Sequence, residues 1–281
     1  MSLFSYQFVQ LALLAALVLA GIHSYLGFHV VSRGVIFVDI SLAQAAAFGG
    51  VVAMVMGLEY HSMSAYIVSL MFTLAGAGVI SISRMKDNRI PQEAFIGIIY
   101  AGFSAGVMLL LSGHPGGMEE LEHTLSGSLM TITSSDLWVT AMIYGAIGVF
   151  HWIFREQFFN ISEAKSSSEL GRKKTGWWDF LFYSTFGLVV TSSVHIAGVL
   201  LVFSLLVIPP VTALLFTRQK GLRLYVGWII AFLGSVLGIA LSVSLNLPAG
   251  PSIIAVLIAI LLLSVVSRKF VGLMAASRQR G

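Results

Sequence analysis

Charged and turn-forming residues divide the chain into long apolar blocks with few interruptions. The breaks leave candidate spans near 7–31, 35–57, 61–83, 91–112, 137–154, 180–194, 196–217, 224–245 and 250–267. Most approach the roughly 20 apolar residues that a helix needs to cross a hydrocarbon layer. The stretch 180–217 holds no charge and is too long for one crossing. The polar TSSVH at 191–195, just before Gly198, is where the pattern divides it. Eight spans with one irregular or re-entrant piece fit the same pattern. The expected fold is therefore all-α: a polytopic integral membrane protein with about 8–9 transmembrane helices in a single domain over 1–281.

Composition agrees with this reading. Of 281 residues, 57% are hydrophobic and 10% charged, whereas a soluble domain carries about 25% charged residues. The absence of cysteine excludes disulfides, thiolate metal sites and cysteine nucleophiles. The first 30 residues contain no lysine or arginine, so the basic n-region of a cleavable signal peptide is missing and the first block reads as a span.

The net charge of +4 points to topology rather than to nucleic acid. With nine spans and an outside N-terminus, all 16 Lys and Arg fall in inside segments: Arg33, 84–89, 155–174, 218–223 and 268–280. The outside segments keep Glu59, Glu119, Glu120, Glu122 and Asp136. That segregation is the positive-inside pattern, and it puts the C-terminus in the cytoplasm.

Two connecting segments are long enough to carry function. The outside one, 113–136, is acidic; the inside one, 155–179, carries both signs, and its FFNISEAK core has the composition of a short amphipathic helix on the cytoplasmic face. Small-residue runs such as AAAFGG at 45–50 and AGAG at 75–78 suit close helix packing. No GxxxxGK[ST], HExxH or GxSxG occurs, so the chain has no P-loop, zincin or nucleophile-elbow signature. If ATP drives it, another polypeptide binds the nucleotide.

Four segments, in order, resemble the permease subunit of the family-3 ABC importers of zinc, manganese or iron. They are IPQEAFIGIIYAGFSAGVMLLLSG (90–113), LEHTLSGSLMTITSSDL (121–137), VHIAGVLLVFSLLVIPPVTALL (194–215) and NLPAGPSIIAVL (246–257). The resemblance implies a transport subunit without catalytic residues or a resident cofactor in a bacterial inner membrane. A divalent metal ion would be its cargo. Its expected partners are an ABC ATPase that hydrolyses ATP, an extracellular metal-binding protein and a second permease, most simply in a homodimer. NISEAKSSSELG (160–171) sits where the family's ATPase-coupling segment would be. This assigns contacts with the ATPase to Phe159, Asn160, Ile161, Ser162, Glu163, Ala164 and Gly171.

In the family, an aspartate and a histidine four residues apart on the second span mark the ion's path. Here LAQAAAFG (42–49) aligns with that motif, so Gln44 takes the histidine position and Asp39 falls one residue early. Five residues turn a helix by about 140°, so the two side chains should not share a face. Two readings stand for Asp39: a place on the transport path, or a structural pairing with Arg33. Gln44 either lines the path or bonds between helices. His23 and His29, six residues apart on the first span, could complete a His–His–Asp site with Asp39, or pack against neighbouring carbonyls. His61, His114, His123 and His195 read as outside-facing, where they could attract cations or simply be solvated, and His151 reads as structural. The rival readings are an importer of the same build with another cargo, and a secondary transporter that needs no ATPase.

Overall fold

The computed structural model describes residues 6–59, 62–82, 91–112, 127, 129–163 and 169–278. Among them every regular element is helical: α1 Gln7–Arg33, α2 Val38–Val55, α3 Met63–Ile82, α4 Gln92–Leu111, a 3₁₀ turn Leu129–Thr131, α5 Ser134–Ile153, α6 Arg155–Glu163, α7 Glu169–Phe216, α8 Lys220–Leu245 and α9 Ala249–Arg278. Eight helices, all but the short α6, are long and apolar enough to cross a membrane.

The chain forms two compact units. One comprises Met1–Phe28, Leu129–Leu137 and Leu200–Gly281; the other comprises His29–Ser128 and Trp138–Val199. In the first, backbone approaches backbone where side chains vanish. Pro210 lacks the amide that would bond the Leu206 carbonyl, and Gly27 of α1 lies against that oxygen so closely that a Cβ would sit 1.8 Å from it. Likewise a Cβ on Gly238 of α8 would meet the Ile253 Cα of α9 at 2.4 Å. The Trp228 indole donates to the Gly21 carbonyl at 2.9 Å, and the Arg223 guanidinium lies 4.0 Å from the Phe28 ring centre. Asn246, in a left-handed conformation (φ 54°), ends α8.

In the second unit α2 packs on both α3 and α4. Gly49 lets α2 reach the α3 backbone, since a Cβ there would stand 2.6 Å from the Ser69 Cα. Phe48 meets Phe72 of α3 and Phe103 of α4 with ring centres 5.1 and 5.6 Å apart.

Within α7 the helix is interrupted at Gly198 (φ 75°, ψ 159°), not at 191–195 as the polar pattern suggested. The TSSVH residues are helical because their polar groups find partners without breaking the backbone. Thr191 donates to Thr73 of α3 at 3.0 Å, Ser192 donates to the Tyr144 hydroxyl of α5 at 3.2 Å, and Ser193 bonds the same hydroxyl. The interruption needs a residue without Cβ. Gly127 presses on it: a Cβ there would lie 2.2 Å from the Ala197 carbonyl carbon. Two motifs far apart in sequence thus meet at a pair of glycines.

Candidate functional site

Helix α2 begins one turn after α1 ends, and Asp39 is its second residue. Asp39 is fully buried, and neither carboxylate oxygen has a hydrogen-bond partner. Its stripe on α2 continues through Leu42, Ala43 and Ala46, all buried. The Leu42 side chain lies beside Gly76 of α3 and Gly187 of α7, so this stripe faces the interior of the unit. Gln44 lies on another stripe with Ile40, Ala47 and Phe48, all half-buried. The two residues therefore occupy different faces, as the spacing requires.

The pairing of Asp39 with Arg33 is not formed. Arg33, the last residue of α1, instead gives Nη1 to Asp179 of α7 at 2.9 Å, in a pair whose side chains are 4% and 2% exposed. Its guanidinium lies 3.9 Å from the centre of the Phe182 ring. The N-terminus of α2 has another carboxylate beside it: Glu93 of α4 accepts the Phe37 amide at 3.1 Å. A negative group there satisfies an amide the helix cannot and opposes the positive end of its dipole.

The two histidines of α1 are both engaged. His23 Nδ1 bonds the Leu19 carbonyl at 2.8 Å, a bond within its own helix. His29 Nδ1 is 2.8 Å from Ser162 Oγ, and its ring packs on Phe159 at 4.9 Å. Among the described residues no group of three or more His, Asp or Glu could hold a metal ion, and of the two readings of His23 and His29 the bonds found are those of packing histidines. His195 Nδ1 bonds the Thr191 carbonyl at 2.8 Å. His61, His114 and His123 lie outside the described residues.

The amphipathic helix expected in the inside segment forms as α6. Phe158, fully buried, stacks on His151 with ring centres 4.1 Å apart and meets the edge of Trp178. His151 reaches Thr185 of α7 at 2.8 Å. Phe158, Ile161 and Ser162 turn inward, whereas Arg155, Glu156 and Asn160 are exposed and Phe159 is half-buried. Ile161 and Ser162, assigned to the ATPase by the resemblance, are buried within this chain, and the exposed residues of α6 are Arg155, Glu156 and Asn160. Ala164 lies outside the described residues; Glu163 and Gly171 are helical.

Ser162 uses all the hydrogen bonds a hydroxyl has, one donated and two accepted. It donates to the Phe158 carbonyl at 2.8 Å and accepts Arg33 Nε at 3.0 Å. The remaining lone pair faces His29, so the His29 proton is on Nδ1. Sequence reasoning singled out neither Asp179 nor Glu93 for these roles. The available signal for Asp179 was its position at the head of an apolar run.

These features define a multi-pass, all-helical membrane protein in which Arg33 at the end of α1 pairs with Asp179 of α7 and Asp39 is buried in the first turn of α2. The chain belongs to the ABC 3 transport family, which it matches over residues 5–268. It is 27% identical over 259 residues to the manganese transport system membrane protein MntC of Halalkalibacterium halodurans, covering 90% of this chain and 85% of that one. It is 24% identical to the manganese import system permease protein ScaB of Streptococcus gordonii, covering 90% and 88%. Among solved structures it is similar to PsaBC from Streptococcus pneumoniae in complex with Fab, with a TM-score of 0.75, 25% identity, and coverage of 92% and 91%.

Proposed function

We propose that this chain is the permease subunit of an ATP-driven importer for a divalent metal ion, with manganese the leading cargo. The observation that carries this is family membership over nearly the whole chain together with relatives named for manganese transport. The permease itself makes and breaks no bonds. Two copies alternate between outward- and inward-open states by rocking at their interface. A separate ABC ATPase binds the exposed face of α6 (Arg155, Glu156 and Asn160) on the cytoplasmic side. An extracellular binding protein delivers the ion. The N-terminus lies outside and the C-terminus in the cytoplasm of the inner membrane.

Asp39 is the residue of the transport path. An unpaired carboxylate inside a membrane domain costs about 2.5–3.5 kcal/mol on insertion scales, and a passing cation would relieve that cost. Gln44 lines the path from a second face of α2, while His23 and His29 support α1. An amide replaces the imidazole that suits zinc, which favours a harder ion or another cargo carried by the same build.

Purification of the tagged chain from native membranes in mild detergent, followed by mass spectrometry, tests the assignment. A stoichiometric ABC ATPase is expected, and ATP-dependent uptake of manganese(II), iron(II) and zinc(II) by the recovered complex then ranks the ions. Reproducible absence of an ATPase, with the permease intact, overturns the importer reading in favour of a secondary transporter.

A further inference from the structure

Helix α6 is joined to its neighbours in sequence by covalent links to α5 and, through 164–168, to α7. Its connection to α1 is of another kind. Ser162 lies 129 residues from Arg33 and 133 from His29, and it holds both through one hydroxyl. Arg33 in turn is clamped to Asp179 of α7. One buried joint therefore ties together the inward face of α6, the last turn of α1 and an early turn of α7.

The chemistry of the joint suits a linkage better than a glue. A buried ion pair adds little net stability, because desolvation offsets most of the attraction. What it supplies is direction. The guanidinium fork fixes two bonds at set angles, and the saturated hydroxyl of Ser162 leaves no slack between Phe158, Arg33 and His29. A displacement of α6 cannot be absorbed by slippage, as it could across an apolar contact. It must move the end of α1 or break the joint.

The chain continues from that end directly into the transport residue. Arg33 is followed by Gly34 (φ 70°), by a short turn and by α2, so Asp39 is six residues beyond the joint. The far side of this turn is fixed by the bond from the Phe37 amide to Glu93. Gly34 stands between the two anchors in a conformation that L side chains rarely adopt, which makes it the natural pivot.

We propose that Ser162, Arg33 and Asp179 are positioning residues. They pass movement of α6 to the turn between α1 and α2 and so set when Asp39 is reachable by the cation. This rests on the importer reading given above.

The test uses the full complex of permease, ATPase and binding protein in proteoliposomes. It measures manganese(II) moved and ATP hydrolysed in the same preparation. Ser162→Ala removes the shared hydroxyl with little change in volume. Arg33→Met combined with Asp179→Leu removes the pair without leaving a lone buried charge. In both variants the ATPase should stay bound and hydrolysis should remain within about twofold of the parent, while ions moved per ATP fall at least fivefold. The charge exchange Arg33→Asp with Asp179→Arg should recover part of the ratio. An unchanged ratio in Ser162→Ala and in the double variant overturns the joint. So does loss of transport that follows loss of bound ATPase in step. If the unsubstituted complex itself shows no ATP-dependent uptake, the importer reading fails instead.

Discussion

A carboxylate removed from water must find a partner, lose its charge or serve a ligand. Asp39 is buried with both oxygens unpartnered, while the nearest arginine in sequence is taken by Asp179. The two acids thus divide the work: Asp179 neutralises a helix end, and Asp39 is left open. Replacing Asp39 by Asn keeps the shape and removes the charge. The expected outcome is loss of manganese(II) accumulation in cells, with the variant still assembling with its ATPase at parental yield. Uptake at the parental rate would remove Asp39 from the path. His29 shows the opposite case. A histidine on a span could be a ligand, and here its Nδ1 is held by Ser162, which ties the ring of α1 to α6.

At the scale of elements, the telling feature is the interruption of α7. The apolar window Gly176–Phe216 has 41 residues, about 60 Å as a continuous helix and roughly twice the hydrocarbon thickness. Gly198 divides it into pieces each long enough for one crossing. Its dihedrals fall in a region essentially reserved for glycine, where another residue costs on the order of 1–3 kcal/mol. Gly198→Ala should therefore lower the thermal unfolding midpoint of the detergent-solubilised protein by several degrees. Gly145→Ala on α5, where nothing lies within 4 Å of the added methyl, should leave it unchanged. Equal midpoints for the two variants would mean that the interruption is not strained by a side chain.

For the whole molecule, the expected topology turns on how α7 is counted. Counting its two pieces separately would give nine crossings, the count for which the expected topology puts all 16 basic residues on one side. The chain has no cysteine, so single reporters can be introduced against a silent background. A cysteine replacing Glu119 should react with an impermeant maleimide in intact spheroplasts. One replacing Asn160, on the exposed face of α6, should react only after the membrane is opened. Labelling of both from outside would overturn the orientation. Protection of Asn160→Cys by added ATPase would in addition locate the docking face.

The sequence alone determined the class of the protein, because crossing a membrane demands runs of apolar residues that no tertiary contact can replace. It also determined that Asp39 and Gln44 stand on different faces, since helical geometry is local. The short helix in the inside segment was legible for the same reason. Only the tertiary structure decided which polar residues satisfy one another. The TSSVH residues looked like a break because polar groups in a span are costly; Thr73 of α3 and Tyr144 of α5 supply the partners that keep the helix intact. Arg33 had acids near and far to choose from, and chain folding gave it Asp179. Ile161 and Ser162 read from the resemblance as ATPase contacts, and their burial within the chain shows only once α6 is seated through Phe158. Pairing across more than a hundred residues depends on where helices pack, and one chain's local pattern carries no record of that.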